Sequence, residues 1–368
     1  MIKENFKKSI NSILYVRLPC PKIWPVSLVY LADHIHKECP NVKQRILDLS
    51  LVEPEDESKT LIKTIEEFNP QAIAFSLRVI QPFSPEEGDP SLINAFNFYF
   101  SRNPIKKIKS ALFGAKSVAT YQNRTKKTLA LINEASNKFG DRQILIGGPA
   151  FSVFWNFIMP RINNKAIGVV GEAENALLKI IKGLPLEEER FVWQENGSVK
   201  CGVQKQFVDL SQQTPVDFGY IESIYPGFKE YLDEPIGVQT KRGCPYSCLY
   251  CLYNYIEGKK VRYRNPQVIG QEIETLNKEY GIKKIWFCDS QFFPAKKDFA
   301  ICERTLDEII KRKLDIQWTS YMRIEHINKN IAEKMLASGV SDFELSINSG
   351  SQKVINALKL GFRLEKFF

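Results

Sequence analysis

The first 185 residues alternate short apolar runs with longer amphipathic stretches. Stretches such as 26–36 carry their apolar residues at helical spacing, and a long basic helix is predicted at 116–138. These helices separate short apolar runs that are typical of strands, at 13–16, 46–49, 72–75, 144–146 and 167–170. Such alternation predicts a doubly wound α/β domain, in which a parallel sheet has helices on both faces.

The pattern changes after residue 185. Asn196-Gly197, between two strand-like runs, predicts a hairpin, and an irregular, aromatic-rich linker follows it. From Ile236 the alternation of strands and helices resumes, with strands expected at 237–240, 284–288, 316–320 and 342–347. Four successive βα units predict part of a barrel. We therefore expect three regions, 1–185, 186–235 and 236–368.

Composition narrows the class of protein. The chain has 368 residues, of which 44% are hydrophobic and 25% are charged, as in folded globular proteins rather than disordered ones. No apolar run approaches the roughly 18 residues of a membrane-spanning helix, and the cysteines are too sparse for a disulfide scaffold. These features predict a cytoplasmic protein in a reducing compartment.

The basic charge is unevenly distributed. The net charge is +9, and residues 236–368 hold 22 Lys and Arg against 15 Asp and Glu. A basic face for nucleic acid is one interpretation, but scattered solvated lysines explain the excess more simply. We do not expect nucleic acid as a partner.

Three of the eight cysteines form a CxxxCxxC motif directly after a predicted strand: Cys244, Cys248 and Cys251. Three thiolates from one loop can hold three irons of a [4Fe-4S] cluster and leave the fourth iron open to another ligand. The alternatives are a zinc site or three unrelated thiols. Structural zinc takes four protein ligands, and no fourth Cys or His lies nearby in the sequence. The motif therefore predicts an iron-sulfur site.

This segment resembles the radical S-adenosylmethionine (radical SAM) superfamily, whose cluster loop has this spacing with an aromatic residue before the last cysteine. Tyr250 occupies that position. The resemblance implies a [4Fe-4S] cluster and S-adenosylmethionine as cofactors, cleavage to a 5′-deoxyadenosyl radical, and an electron donor such as flavodoxin or ferredoxin. It also implies that further residues bind S-adenosylmethionine: Asp289, Ser290, Arg323, Ser346 and Asn348.

The predicted strand ends of the first region resemble the cobalamin-binding domain that precedes some radical SAM barrels. The resemblance implies cobalamin as a third cofactor, bound by Trp24, Pro25, Ser76, Leu77, Arg78, Gly147, Gly148, Pro149, Gly171, Glu172 and Glu174. The DxHxxG motif that ligates cobalt in one branch is missing. His34 and His36 lie within a predicted helix as surface or packing residues, so we expect cobalamin without a protein histidine on cobalt.

An unusual insertion lies between Arg78 and Lys116, rich in Phe, Pro and Asn. We expect its aromatic residues, Phe83, Phe96, Phe98, Tyr99 and Phe100, to shield the cobalamin ring or contact substrate, or else to form a satellite apolar cluster. The nearby lysines, 106, 107, 109 and 116, are expected to form a solvated helix face.

The resemblance implies a cobalamin-dependent methyltransferase that methylates an unactivated carbon or phosphorus of a small molecule. One alternative is an enzyme that uses the same cofactors for rearrangement or oxidative cyclisation. Another is a truncated, non-catalytic cobalamin-binding protein, because family barrels commonly have six βα units and this chain supplies about four. We expect a partner or a missing segment to complete the barrel. A tRNA methylthiotransferase is disfavoured because the first region lacks a second cysteine triad.

Overall fold

The computed structural model describes residues 9–78, 90–163, 165–185, 189–202 and 207–366. Its N-terminal sheet has seven strands in the order β2-β1-β3-β4-β5-β6-β7. The strands are β1 (Ser12–Arg17), β2 (Lys43–Asp48), β3 (Ala72–Ser76), β4 (Gln143–Gly147), β5 (Ile167–Val169), β6 (Phe191–Glu195) and β7 (Ser198–Cys201). The first five in this order are parallel.

β1 lies between β2 and β3 and is buried along almost its whole length, as expected for a strand that is covered on both faces. Its covering helices include α1 (Val26–Glu38), α2 (Glu57–Phe68), α5 (Pro149–Ile158) and α6 (Glu174–Ile181). Because the chain leaves β1 and β3 in opposite directions, a crevice opens at their carboxyl ends. The doubly wound fold predicted from the sequence is confirmed.

The hairpin at Asn196-Gly197 is part of this sheet. β6 pairs antiparallel with β5, and β7 pairs antiparallel with β6. Asn196 and Gly197 both have positive φ, 50° and 72°, which is the backbone shape that a tight two-residue turn requires.

The second region builds a four-stranded parallel sheet in the order β13-β12-β11-β8. Its strands are β8 (Ile236–Val238), β11 (Lys284–Phe287), β12 (Gln317–Met322) and β13 (Glu344–Leu345), and a short antiparallel pair joins β9 (Lys241–Arg242) to β10 (Arg262–Tyr263). The helices are α8 (Tyr253–Glu257), α9 (Pro266–Tyr280), α10 (Phe299–Lys311), α11 (Lys329–Ala337) and α12 (Gln352–Ala357). The βα rhythm matches the prediction, although the last strand is shorter than expected.

The insertion differs from its prediction. The basic helix expected at 116–138 is α4 (Pro104–Lys138), with 35 residues, and α3 (Pro90–Phe100) precedes it. Asn103 caps α4 by accepting from the backbone amide of Ile105 at 2.9 Å, and Pro104 occupies the first turn, where proline is well tolerated. These start signals place the beginning of α4 twelve residues before the predicted one. Phe83 lies outside the described residues.

The linker packs tightly onto the N-terminal sheet. It contains α7 (Phe218–Ile224) and a short 3₁₀ turn, Phe228–Tyr231. Its tyrosines 225 and 231 both donate to the Asp48 carboxylate at 2.7 Å, which Arg17 contacts at 2.9 Å. A buried carboxylate needs several such partners, so Asp48 holds the linker in place.

Trp24, which the sequence predicts to bind cofactor, lies in this core. Its side chain is 2% exposed, and its ring meets Phe228 at 5.4 Å and Tyr231 at 5.8 Å between centroids, edge to face. Pro25 is buried beside it, directly before α1. Both residues follow β1, and aromatic rings of the linker cover Trp24.

None of the helices in the described ranges combines the length and the apolar character needed to cross a bilayer.

We predict that Trp24→Ala lowers the free energy of unfolding by about 3–5 kcal/mol, because it leaves a cavity between the sheet and the linker. Tyr99→Ala removes an aromatic side chain that is 70% exposed and should change stability by less than about 0.5 kcal/mol. Urea unfolding of both variants measures the difference. Equal effects would show that the linker does not dock on Trp24.

Candidate functional site

The CxxxCxxC cysteines lie on the loop between β9 and α8. Gly243, just before Cys244, has a φ of 95°, and a Cβ there would lie 2.3 Å from the carbonyl oxygen of Lys260. Only glycine fits this close approach. The amide of Cys244 then donates to the carbonyl of Gly258 at 3.1 Å, so the backbone fixes the first cysteine.

All three cysteines line one cavity of about 200 Å³. Cys244 is buried, and the other two thiols are partly exposed. The ends of β11, β12 and β13 close the cavity. The structure thereby brings the cysteines together with most of the residues predicted to bind S-adenosylmethionine: Tyr250, Ser290, Arg323, Ser346 and Asn348.

Two of these residues meet directly. The side-chain amide of Asn348 donates to the Tyr250 hydroxyl at 2.8 Å, which joins the segment after β13 to the cysteine loop. On the opposite side, the Ser290 hydroxyl donates to the carbonyl of Gly243 at 3.3 Å. Both contacts hold strand ends against the loop that carries the cysteines.

Arg323 lies at the cavity and already has protein partners. Its Nε donates to Glu325 at 2.6 Å, and Nη2 donates to the carbonyl of Leu360 at 2.9 Å. Its guanidinium carbon lies 3.8 Å from the centroid of the Tyr246 ring. The arginine is therefore held in one orientation, with Nη1 as the donor that these contacts do not use.

Asp289, which was also predicted to bind S-adenosylmethionine, is not among the residues that line this cavity. The side chain is 1% exposed. Its carboxylate accepts from the backbone amide of Thr240 at 2.8 Å and from the Lys241 ammonium at 2.7 Å. Asp289 thus anchors the start of the cysteine loop from beneath.

Gln291 is a cavity residue that the sequence did not reveal. It is 5% exposed, and its Nε2 approaches the Cys244 sulfur at 3.5 Å. Its Oε1 is buried without a hydrogen-bond partner among the described residues. A buried carbonyl oxygen of this kind is ready to accept from a ligand amine. Its position directly after Asp289 and Ser290, at the end of β11, was the available signal.

A second cavity of about 200 Å³ lies at the carboxyl ends of the N-terminal strands. Apolar side chains from α1, β4 and α6 form much of its wall, including Leu28, Leu31, Leu145 and Leu177. The predicted residues found there are Ser76, Gly147, Gly148, Pro149, Gly171, Glu172 and Glu174. None of the described residues that line it is a histidine.

Leu77 and Arg78, which were also predicted to bind cobalamin, are not among the residues that line this cavity. Leu77 is 3% exposed, and its backbone donates to Gly147 at 2.8 Å and accepts from Ala150 at 3.1 Å. Gly148 has a φ of 101°, and a Cβ there would lie 2.6 Å from the Leu77 carbonyl oxygen. These residues therefore join the β3 and β4 loops. Arg78 is partly buried, and burial followed by the charge of Arg17 lowers its pKa.

Comparison with known proteins agrees with this geometry. Residues 238–367 match the Radical SAM superfamily. This chain carries a radical SAM domain. The superfamily predicted from the cysteine motif is confirmed.

One relative is an uncharacterised methyltransferase of Pyrococcus horikoshii, 28% identical over 270 residues, which make up 70% of this chain and 56% of that protein. The chain thus spans less than two thirds of this relative.

Two solved structures share the fold. One is TsrM from Kitasatospora setae, a radical S-adenosylmethionine methyltransferase with cobalamin and a [4Fe-4S] cluster bound. Its TM-score to this chain is 0.65 at 16% sequence identity, and the match covers 95% of this chain and 62% of TsrM. The other is OxsB, a cobalamin-dependent S-adenosylmethionine radical enzyme with aqua-cobalamin and S-adenosylmethionine bound. Its TM-score is 0.64 at 16% sequence identity, and the match covers 97% of this chain and 46% of OxsB.

The radical SAM domain is joined to the N-terminal sheet by buried ion pairs. Glu172 accepts two hydrogen bonds from Arg262, at 2.5 and 3.0 Å, and Glu174 accepts from Arg242 at 2.5 Å. The carboxylate oxygens of these two glutamates, which the sequence predicts to bind cofactor, are thus engaged by arginines of β9 and β10. They line the cavity and close it against the radical SAM domain.

Glu257, at the end of α8, lines the same cavity. It accepts from the backbone amide of Gly243 at 2.9 Å. Burial raises the pKa of Glu257 to about 7, although the Gly243 amide and the charge of Arg242 act in the opposite direction. One carboxylate therefore touches both the second cavity and the start of the cysteine loop.

The residues present fit the cofactors that the sequence implies. Within the described ranges, no three His, Cys, Asp or Glu side chains are close enough to share a single ion. The cysteines of an iron-sulfur cluster each bind a different iron, so they need only surround one cavity, as they do here. In the second cavity, a Cβ on Gly147 would meet only the carbonyl oxygen of Val169, at 3.7 Å. The glycine at position 147 therefore leaves space in the cavity, although the packing of the fold does not require a glycine there.

We predict that Glu174→Gln lowers the free energy of unfolding by about 3 kcal/mol at neutral pH, because it leaves Arg242 buried with a weakened partner. Glu67→Gln is the matched control: Glu67 is half-exposed and lies 3.7 Å from Lys63, so its loss should cost less than about 0.5 kcal/mol.

The same variant has a defined pH dependence. Burial raises the pKa of Glu174, but Arg242 more than offsets this, so the net pKa lies below the ordinary 4.5. The stabilisation is therefore present above pH 4.5 and is lost as the pH falls through the lowered pKa. Urea titrations on both sides of this pH should show the gap between wild type and Glu174→Gln closing in acid. A gap that does not change with pH would contradict the ion-pair account.

Proposed function

We propose that this chain functions as a cobalamin-dependent radical SAM methyltransferase that acts on a small molecule. The observation that carries the proposal is the placement of the three motif cysteines around one cavity, beside a second cavity at the carboxyl ends of the N-terminal strands. Glu174, Arg242 and Glu257 lie between the two sites. TsrM, with the same fold, has been solved with a tryptophan substrate and a SAM analogue bound, which supports a small-molecule substrate.

In the cysteine cavity, Cys244, Cys248 and Cys251 would hold a [4Fe-4S] cluster. When bound, this cluster supplies the electron for reductive cleavage of S-adenosylmethionine. The buried Oε1 of Gln291 would accept from the amino group of the methionine moiety. Nη1 of Arg323 would donate to its carboxylate, in the orientation that Glu325 sets through a charge-assisted contact.

In the second cavity, Gly147 and the apolar walls from α1 and α6 would accommodate cobalamin. When bound, cobalamin supplies a carrier for the methyl group. Ser76 and the backbone at Gly171 offer polar contacts at strand ends, while Glu172 and Glu174, paired with arginines, keep that side of the cavity closed to water.

A second candidate is rearrangement or oxidative cyclisation with the same cofactors, which the similarity to OxsB supports. A methylated product together with S-adenosylhomocysteine supports methyl transfer. Formation of 5′-deoxyadenosine with an unmethylated product supports the second candidate. Cobalamin binding without any cleavage of S-adenosylmethionine would support a non-catalytic protein.

The cluster assignment is tested by replacing the three motif cysteines with serine. After anaerobic iron-sulfur reconstitution, we expect the variant to lose its bound iron and to form at least about 100-fold less 5′-deoxyadenosine than wild type. The matched control replaces three partly exposed cysteines outside the motif, Cys20, Cys39 and Cys201, and should keep both properties. Iron retained by the motif variant would overturn the assignment.

The cobalamin assignment is tested by Gly147→Leu. The leucine should occupy the cavity and weaken cobalamin binding by about tenfold or more, measured by absorbance after gel filtration. Gly114→Leu is the control, because a Cβ at Gly114 meets nothing within 4 Å. Equal binding by the two variants would place cobalamin elsewhere.

A further inference from the structure

Helices α3 and α4 form a hairpin that projects from the N-terminal domain. Among the described residues, the buried side chains that anchor α4 to the core of the domain lie from Leu129 onward. Of residues 104–128, Ser110 alone is buried, so this part of α4 extends roughly 35 Å beyond the core. α3 packs along it. The turn at 101–103 is therefore the distal tip.

The tip is apolar and aromatic. Phe96, Phe98, Tyr99 and Phe100 are 64%, 43%, 70% and 71% exposed, and neighbouring rings touch one another at 5.2 Å between centroids. These residues do not line either cavity. Of the two expectations for them, these ring contacts favour an apolar cluster, which lies exposed and away from both cavities.

The aliphatic residues of the hairpin are exposed as well. Ile105, Ile108 and Leu112 follow one another at helical spacing on α4 and are 62%, 61% and 66% exposed. Lys109 lies four residues after Ile105, and Lys116 lies four residues after Leu112, so both amines stand beside this apolar stripe.

The charged residues of the hairpin are all basic. Residues 90–133 contain eight Lys or Arg and no Asp or Glu, against a net charge of +9 for the whole chain. The basic residues include Arg102 in the turn and Lys106 and Lys107 in the first turn of α4. An aromatic tip followed by basic residues is the composition of segments that lie at a lipid-water interface.

We propose that the tip of the α3–α4 hairpin docks on an anionic lipid bilayer surface. The aromatic and aliphatic side chains enter the headgroup region, and the lysines contact lipid phosphates through their extended stems. A nucleic acid would match the charge and could stack on the aromatic rings, but it offers no apolar medium for Ile105, Ile108 and Leu112. An anionic bilayer offers an apolar medium to the aromatic and aliphatic side chains and phosphate groups to the lysines.

The test is flotation of the full chain with vesicles of phosphatidylcholine containing about one third phosphatidylglycerol, compared with phosphatidylcholine alone. We expect binding to the anionic vesicles to be at least about tenfold stronger and to weaken at high salt. Lys106→Glu combined with Lys107→Glu, and Tyr99→Ser combined with Phe100→Ser, should each weaken it about tenfold or more.

Matched controls separate the tip from general surface effects. Lys59→Glu with Lys353→Glu makes the same change in charge at two exposed lysines elsewhere, and Leu336→Ser removes an apolar side chain that is 71% exposed on α11. Both should bind vesicles like wild type. Three results would overturn the proposal: equal binding to the two vesicle types, a dimer that forms without lipid and is lost in the tip variants, or tip-dependent binding to single-stranded RNA that exceeds binding to vesicles.

Discussion

The arrangement of both cavities depends on the buried ion pairs between the N-terminal sheet and the radical SAM domain. Glu172 and Glu174 follow β5, and their arginine partners lie on β9 and β10, the strands that flank the cysteine loop. Buried charges are stable only when they are paired, so these contacts tolerate little displacement. The ion pairs therefore fix one wall of the second cavity and also the start of the cysteine loop.

A second set of contacts reinforces this geometry from the side of the radical SAM domain. Arg264 donates to the Tyr30 hydroxyl of α1 at 2.8 Å and pairs with Glu272 of α9 at 2.5 Å. Beneath the loop, Asp289 holds Thr240 and Lys241. The cysteine loop thus begins from a strand that is held on both sides, which limits the positions that its thiols can adopt.

Much of the site could be predicted because parallel strands bring their carboxyl ends to one edge. For that reason the second cavity brings together Ser76, Gly147 and Gly171. The cysteine cavity likewise brings the motif cysteines together with Ser290 and Asn348. Trp24 and Leu77 also follow strands, but their burial depends on partners far away in sequence. The pairing of Glu172 and Glu174 with arginines could not be predicted, because those partners lie nearly 70 to 90 residues later and carry no local signal. Gln291 was missed because a single glutamine has no distinctive spacing. The exposure of the α3–α4 hairpin could not be predicted either, because it depends on tertiary packing, which helical periodicity does not report.

We propose that this one chain holds two redox cofactors in adjoining sites. This proposal is tested most directly by electron paramagnetic resonance of the protein loaded with cobalamin and an iron-sulfur cluster. The account predicts that reduction of the cluster broadens or splits the signal of reduced, paramagnetic cobalamin, because the two spins are close enough to couple. A spectrum equal to the sum of the signals from singly loaded samples would contradict it.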